Sequence, residues 1–111
     1  MKAILIDAYN KQVKAVEIDD GIQPIYDLVK CESFECVVME NEETVYVDEE
    51  GLLNGTSVGF KLEGCPQPLM GNGLILGTNE EGASIDTALT AEEISGRVTF
   101  VTRDELVREY A

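Results

Sequence analysis

Residues 33–48 read Ser-Phe-Glu-Cys-Val-Val-Met-Glu-Asn-Glu-Glu-Thr-Val-Tyr-Val-Asp, and this stretch decides the fold. Residues 33–39 are rich in β-branched and aromatic side chains, with Phe34, Cys36 and Val38 alternating onto one face. Glu40–Glu43 is too polar to continue a strand, and Thr44–Asp48 returns with the same alternation. The pattern is a β-hairpin with an acidic turn.

Working outward, a second hairpin precedes it. Residues 2–6 are apolar on both faces, Asp7–Lys11 reads as a turn around Asn10, and Gln12–Ile18 returns. Between the hairpins lies a helix. Ile22, Ile25, Tyr26 and Val29 share one helical face. Asp20 is placed to cap it with Gln23 completing a capping box, Pro24 fits the first turn, and the helix ends near Lys30.

Downstream, residues 49–73 are rich in Gly and Pro, with a short strand expected at Val58–Leu62 and an extended Cys65–Pro68. Gly71–Gly73 and Asn79–Gly82 read as turns around the buried strand Leu74–Leu76. Thr90 with Glu93, and Thr102 with Glu105, are capping boxes that open a helical turn and a short C-terminal helix, in which Leu106 and Tyr110 share a side. Val98–Val101 lies between them as a strand. The expected fold is α+β: one small acidic domain over residues 1–111, with two β-hairpins, one helix packed between them, a Gly/Pro-rich middle and a short C-terminal helix.

Composition limits the function. The 111 residues carry 22 acidic and 8 basic side chains, a formal net charge of −14. A chain of this length buries roughly 65% of its unfolded surface, enough for one core. Direct binding to nucleic acid needs basic residues against phosphates, and binding to an anionic membrane needs the same; both are excluded as expectations. The field favours a protein partner with a basic surface. With no histidine, His-dependent catalysis and His-ligated metals are ruled out. No apolar stretch approaches the ~20 residues of a membrane span, and the N-terminus lacks the long apolar region of a secretory signal. Three cysteines make no complete disulfide set, so a reducing cytoplasm is expected. Asn54-Gly55-Thr56 matches a glycosylation sequon that has meaning only on secretion.

The stretch Val45-Tyr46-Val47-Asp48-Glu49-Glu50-Gly51-Leu52-Leu53 resembles an uncharacterised DUF family, number thirty-eight forty-six. Its members similarly begin with a Met-Lys-Ala-like hairpin, here within Met1–Ile18. A helix and second hairpin follow, then an acidic Glu-Glu-Gly-x-Leu motif and a Gly-flanked apolar strand, here Gly73–Gly77, before an acidic Gly turn, Asn79–Gly82. The likeness covers roughly residues 1 to 85. Where many members carry a helical Asn-containing segment, Asn54-Gly55-Thr56 here leads into a Gly-rich extended stretch. The resemblance implies small bacterial, phage and plasmid proteins and supplies no activity.

Twelve acids and one base, Lys30, lie between Glu17 and Glu50. A mimic of DNA would need them in a line, with same-face residues ~6.8 Å apart on a strand. Instead they gather in turns, with Glu40–Glu43 at one hairpin end and Asp48–Glu50, joined by Glu32 and Lys30, at the other. A homodimer could align the two groups. The partner-binding candidates are Glu42, Glu43, Asp48, Glu49 and Glu50, and the leading expectation is a non-enzymatic accessory protein of a phage or mobile element. Inhibition of a host defence or DNA-handling protein is one form of it. The plain alternative is that the acids only keep the protein soluble.

Other residues bear on metal, thiol and anion chemistry. Asp48–Gly51 does not alternate its oxygens as a calcium loop does, and reads as a solvated turn with Gly51 at positive φ. A carboxylate-based metal enzyme is a third function, but no spacing singles out its ligands. Cys31, Cys36 and Cys65 fall one ligand short of a zinc site and lack a His base, so Cys36 is expected in the core and the others inert. Gly71–Gly73 precedes a strand and lacks Lys, unlike a phosphate loop. Arg97 and Arg103, with Arg108 the only arginines, give the second function: an anion pocket for a nucleotide-type small ligand. No cofactor, metal or catalytic residue is assigned.

Overall fold

Strand β1 (Lys2–Asp7) is apolar on both faces, and the fold uses both. Ala3 and Leu5 pack with Ile25 and Val29 of helix α1 (Gln23–Val29), while Ile4 and Ile6 pack with Phe60 and Leu62 on the opposite side. In this computed structural model residues 1–51, 53 and 55–110 are described; Leu52, Asn54, Ala111 and the side chain of Tyr110 lie outside them, and with them the sequon asparagine and the pairing of Leu106 with Tyr110.

Both expected hairpins form. β1 pairs antiparallel with β2 (Gln12–Glu17), and β3 (Phe34–Val38) with β4 (Thr44–Asp48). The seam between them is filled by β7 (Gly73–Thr78), which pairs antiparallel with both β1 and β4 and sets Ile75 between Ile4 and Val45. The sheet order is β2-β1-β7-β4-β3, with short β8 (Ser84–Ile85) paired to the end of β7. Leu74 and Leu76 face α1, which lies over β7 and β4, and Ile75 faces away. The run Leu-Ile-Leu is therefore buried on both sides, which suits the central strand of a three-layer stack.

The third layer was not legible in the sequence. It is a sheet of order β6-β5-β9, from β6 (Leu69–Met70), β5 (Val58–Leu62) and β9 (Val98–Thr102). Phe60 is its fully buried anchor. Gly73 exists for this contact, since a Cβ there would stand 2.6 Å from the Phe60 ring. Helix α2 (Ala91–Ser95) packs beside β2 and buries Ile94, and α3 (Arg103–Tyr110) follows β9.

Caps divide into two that match and one that does not. The Thr90 hydroxyl accepts from the Glu93 N–H and donates to its carboxylate. Thr102 and Glu105 exchange both bonds of the box, at 3.0 and 3.1 Å. Asp20, however, caps nothing: α1 starts two residues later than expected, with Ile22 at its N-cap and no side-chain bond there. The Gln23 amide donates to Asp27 within the helix instead of reaching back. Lys30 closes the helix in the left-handed region, its N–H donating to the Tyr26 carbonyl and its ammonium 5.2 Å from the Tyr9 ring centre.

Candidate functional site

The acids of the second hairpin separate into two places with different roles. Glu42 and Glu43 stand at the turn, and Asp48–Glu50 at the far end of β4, roughly 17 Å along the strand at ~3.4 Å per residue. Glu42 is exposed at positive φ, 71°. Glu43 is only 6% exposed. Its carboxylate accepts from the Thr87 hydroxyl and from the Ala88 N–H at 2.8 Å, tying the hairpin to the chain after β8. Glu43 is thus a structural acid and does not belong to a partner-binding surface. Alternation could have flagged it, since it shares a strand face with buried Val45 and Val47.

The other end is built differently. The Glu49 N–H donates to the Ser33 carbonyl at 3.0 Å, the Ser33 hydroxyl donates to the Glu49 carboxylate, and the Glu50 N–H donates to Asp48 Oδ1 at 2.9 Å. These bonds hold the β4 exit against the start of β3. The result is an open cleft of about 630 Å³ between that corner and α1, where Asp27, Glu32, Asp48 and Glu50 surround Tyr26, with Lys30 as the cation in the lining. Asp27, Glu32 and Glu50 are exposed, and Asp48 is half-buried. Tyr26 is fixed from behind by Phe34, ring centres 5.1 Å apart, and Phe34 by Tyr46 at 5.3 Å. Sequence reading singled out Asp48, Glu49 and Glu50 but missed Tyr26 and Asp27, whose helical positions face the cleft.

Gly51 follows this corner and corrects its expected role. It does not take positive φ; it is buried because the Met70 backbone lies where a Cβ would go, 2.8 Å from the Met70 carbonyl oxygen. Its own carbonyl accepts from Arg103 Nη2 at 3.2 Å, and the Thr56 carbonyl accepts from Arg103 Nε at 2.9 Å. Arg103 clamps a loop to the start of α3. Arg97 stands exposed at the opposite end of β9, about 20 Å away at ~3.4 Å per residue. The two arginines do not meet in one pocket.

The cysteines are all free. Cys36 is exposed on β3 rather than in the core, because β3 is the last strand of its sheet and α1 covers the Phe34 end of the row alone. Burial pushes all three thiols up, helped by Asp48 at Cys31 and by Glu35 at Cys36. Such thiols hold their protons and make poor nucleophiles. Among the described residues no three Cys, Asp or Glu side chains stand close enough to hold a metal ion, and no helix is long and apolar enough to cross a membrane.

A polar residue that sequence reading left as part of a turn carries much of the architecture. Asn72 is 2% exposed. Its Oδ1 accepts from the Ala8 N–H at 2.9 Å, and its Nδ2 donates to the Leu28 carbonyl at 3.1 Å. It joins the end of β1, the start of β7 and the last turn of α1, the element that walls the cleft. Its place between two glycines was the available signal.

Comparison with known proteins gives two findings. The profile of a family described as a domain of unknown function, DUF3846, matches residues 1–100. The uncharacterized protein y4iR of Sinorhizobium fredii is 30% identical over 71 residues, which are 62% of this chain and 44% of the relative. The chain thus spans less than half the length of that curated relative. No solved structure matches.

Proposed function

This chain belongs to the DUF3846 family of unknown function, and from that premise we propose that it is a non-enzymatic binding protein whose acidic cleft seats a basic surface of a protein partner. One observation carries the reading: Asp27, Glu32, Asp48 and Glu50 converge on one cleft around the ring of Tyr26. Exposed carboxylates steer a basic partner to the site, and an aromatic wall adds contact area and a cation–π face to whatever lysine or arginine enters. The corner is held by its own hydrogen bonds before a partner arrives, so little ordering remains to be done on binding. Glu42 and the turn contribute to the long-range field and not to the contact.

The same proposal places the protein in the cytoplasm, as an accessory of a phage or mobile element acting on a host defence or DNA-handling protein. Three free, protonated thiols suit a reducing compartment. The resemblance noted above carries the mobile-element context. Two charge-matched variants test the reading as baits in a bacterial lysate. One is Asp48→Asn, Glu49→Gln and Glu50→Gln combined; the other neutralises exposed Glu80, Glu81 and Glu92. The expected result is a stoichiometric protein held by wild type and by the second variant at low salt, released as salt rises, and lost from the first. Equal retention by both variants would contradict the proposal.

A further inference from the structure

β3 ends one side of the main sheet and β2 the other. The two edges differ. On β2, helix α2 packs alongside, and the strand carries Lys14 and Glu17. β3 holds no Lys or Pro, the residues that most often blunt an open edge.

The backbone of β3 can be followed residue by residue. The Met39 N–H donates to the Glu43 carbonyl, and the Glu49 N–H to the Ser33 carbonyl. Residues bonded across an antiparallel ladder recur every second position. Ser33, Glu35, Val37 and Met39 therefore face β4, and the N–H and C=O groups of Phe34, Cys36 and Val38 point out of the sheet. The side chains sort in the same way. Phe34, exposed Cys36 and Val38, 67% exposed, form an apolar row on the α1 face. Exposed Glu35 stands on the other face, and exposed Glu32 and Glu40 flank the strand.

We propose that β3 accepts one antiparallel strand from the basic partner, a segment in which lysine or arginine alternates with apolar residues. This rests on the acidic-cleft reading and names the form the partner takes. In an antiparallel pair, a residue that bonds to Cys36 also shares its face. The apolar residues of the incoming strand thus donate and accept the backbone bonds and cover the Phe34–Val38 row, and its basic residues fall on the Glu35 face. Flanking Glu32 and Glu40 complement charge at both ends of the strand, and Glu32 leads directly into the cleft. A second copy is the poorer occupant. A two-fold axis at Cys36 would set Glu32 against Glu40 of the other copy at both ends, like charge on like.

Backbone methylation of a short peptide of alternating valine and lysine tests this on the full chain. N-methylation of the lysines blocks the edge facing solvent, and N-methylation of the valines blocks the edge facing β3, with charge and methyl count equal. The expected result is that the lysine-methylated peptide binds like the parent and the valine-methylated one about tenfold or more weakly, since each blocked backbone bond weakens the complex. The parent also slows hydrogen exchange at the Phe34, Cys36 and Val38 amides. Equal binding of the two methylated peptides, with binding still lost on neutralising Asp48–Glu50, overturns the edge and leaves the cleft standing. No binding by any peptide at low salt overturns both. Slow exchange of the three amides in the protein alone, with a dimer mass, gives the edge to a second copy and overturns the proposal.

Discussion

The two hairpins stand on either side of the same central strand, yet one is closed and the other open. The first, β1–β2, is tied at its turn and has a helix beside its outer strand. Its turn is held by Asp7, its outer strand is accompanied by α2, and its inner end is joined through Asn72 to α1. The second, β3–β4, is anchored at one end by buried Glu43 and otherwise presents acids and an edge. The difference separates acids bonded into buried surroundings from acids that line an open corner. Charge alone does not make that distinction; burial does, with Glu43 6% exposed and Glu49 and Glu50 exposed.

The largest expected effect lies in the closed half. Asn72→Ala removes both bonds of a fully buried amide and leaves the Ala8 N–H and Leu28 carbonyl unpartnered, so unfolding free energy should fall by about 3 kcal/mol in denaturant titration. A loss under about 1 kcal/mol would mean that the first hairpin does not depend on this bridge.

Next come two neighbouring acids in the open half. Glu43→Ala should cost about 2 kcal/mol, because the Thr87 hydroxyl and Ala88 N–H lose their acceptor. Glu42→Ala should stay within about 0.5 kcal/mol. Equal effects would erase the division between structural and free acids.

A smaller effect depends on pH. Burial lifts the Asp7 carboxyl, but the side-chain and backbone donors of Asn10, with Lys14 and Lys30, outweigh it and hold the group below its ordinary value. A carboxyl lowered on folding stabilises while ionised. Its contribution is complete above the unfolded value of ~3.9 and is lost as pH falls through the folded one. Asp7→Asn should therefore cost about 1 kcal/mol at neutral pH, with the gap to wild type narrowing below about pH 4. A gap independent of pH would assign the effect to shape rather than charge. Smallest for stability is Cys36→Lys on the open edge, expected within about 0.5 kcal/mol while the valine–lysine peptide binds less well. A marked loss of stability would show that this edge is not open.

Local pattern made much of this readable. The alternation of Phe34, Cys36 and Val38 and the both-sided runs at Ala3–Ile6 and Leu74–Leu76 correctly marked strands, and both threonine boxes marked helix starts. What failed depended on position in the sheet. Cys36 sits on an apolar row, but a row on the last strand has neighbours on one side only. Nothing near Leu74 says that it will lie between two hairpins, because that pairing spans some seventy residues of sequence. The second sheet is hidden for the same reason, with β5 and β9 forty residues apart. Glu43 and Asp48 are both acids flanking the apolar run of β4; alternation puts them on opposite faces, and Thr87 and Ala88 then supply the bonds that hold the first inside. Arg97 and Arg103 are close in sequence and far apart in space, because an extended strand separates them.

The most direct test of the central claim is an amide spectrum of the full chain titrated with oligolysine, at low and then moderate salt. The account predicts concentrated shifts over Gln23–Ser33 and Asp48–Glu50 that fade as salt rises, with Glu80, Glu81, Glu92 and Glu93 little moved. Shifts spread evenly over every exposed acid would contradict it, since the carboxylates would then act as a diffuse field and not as a site.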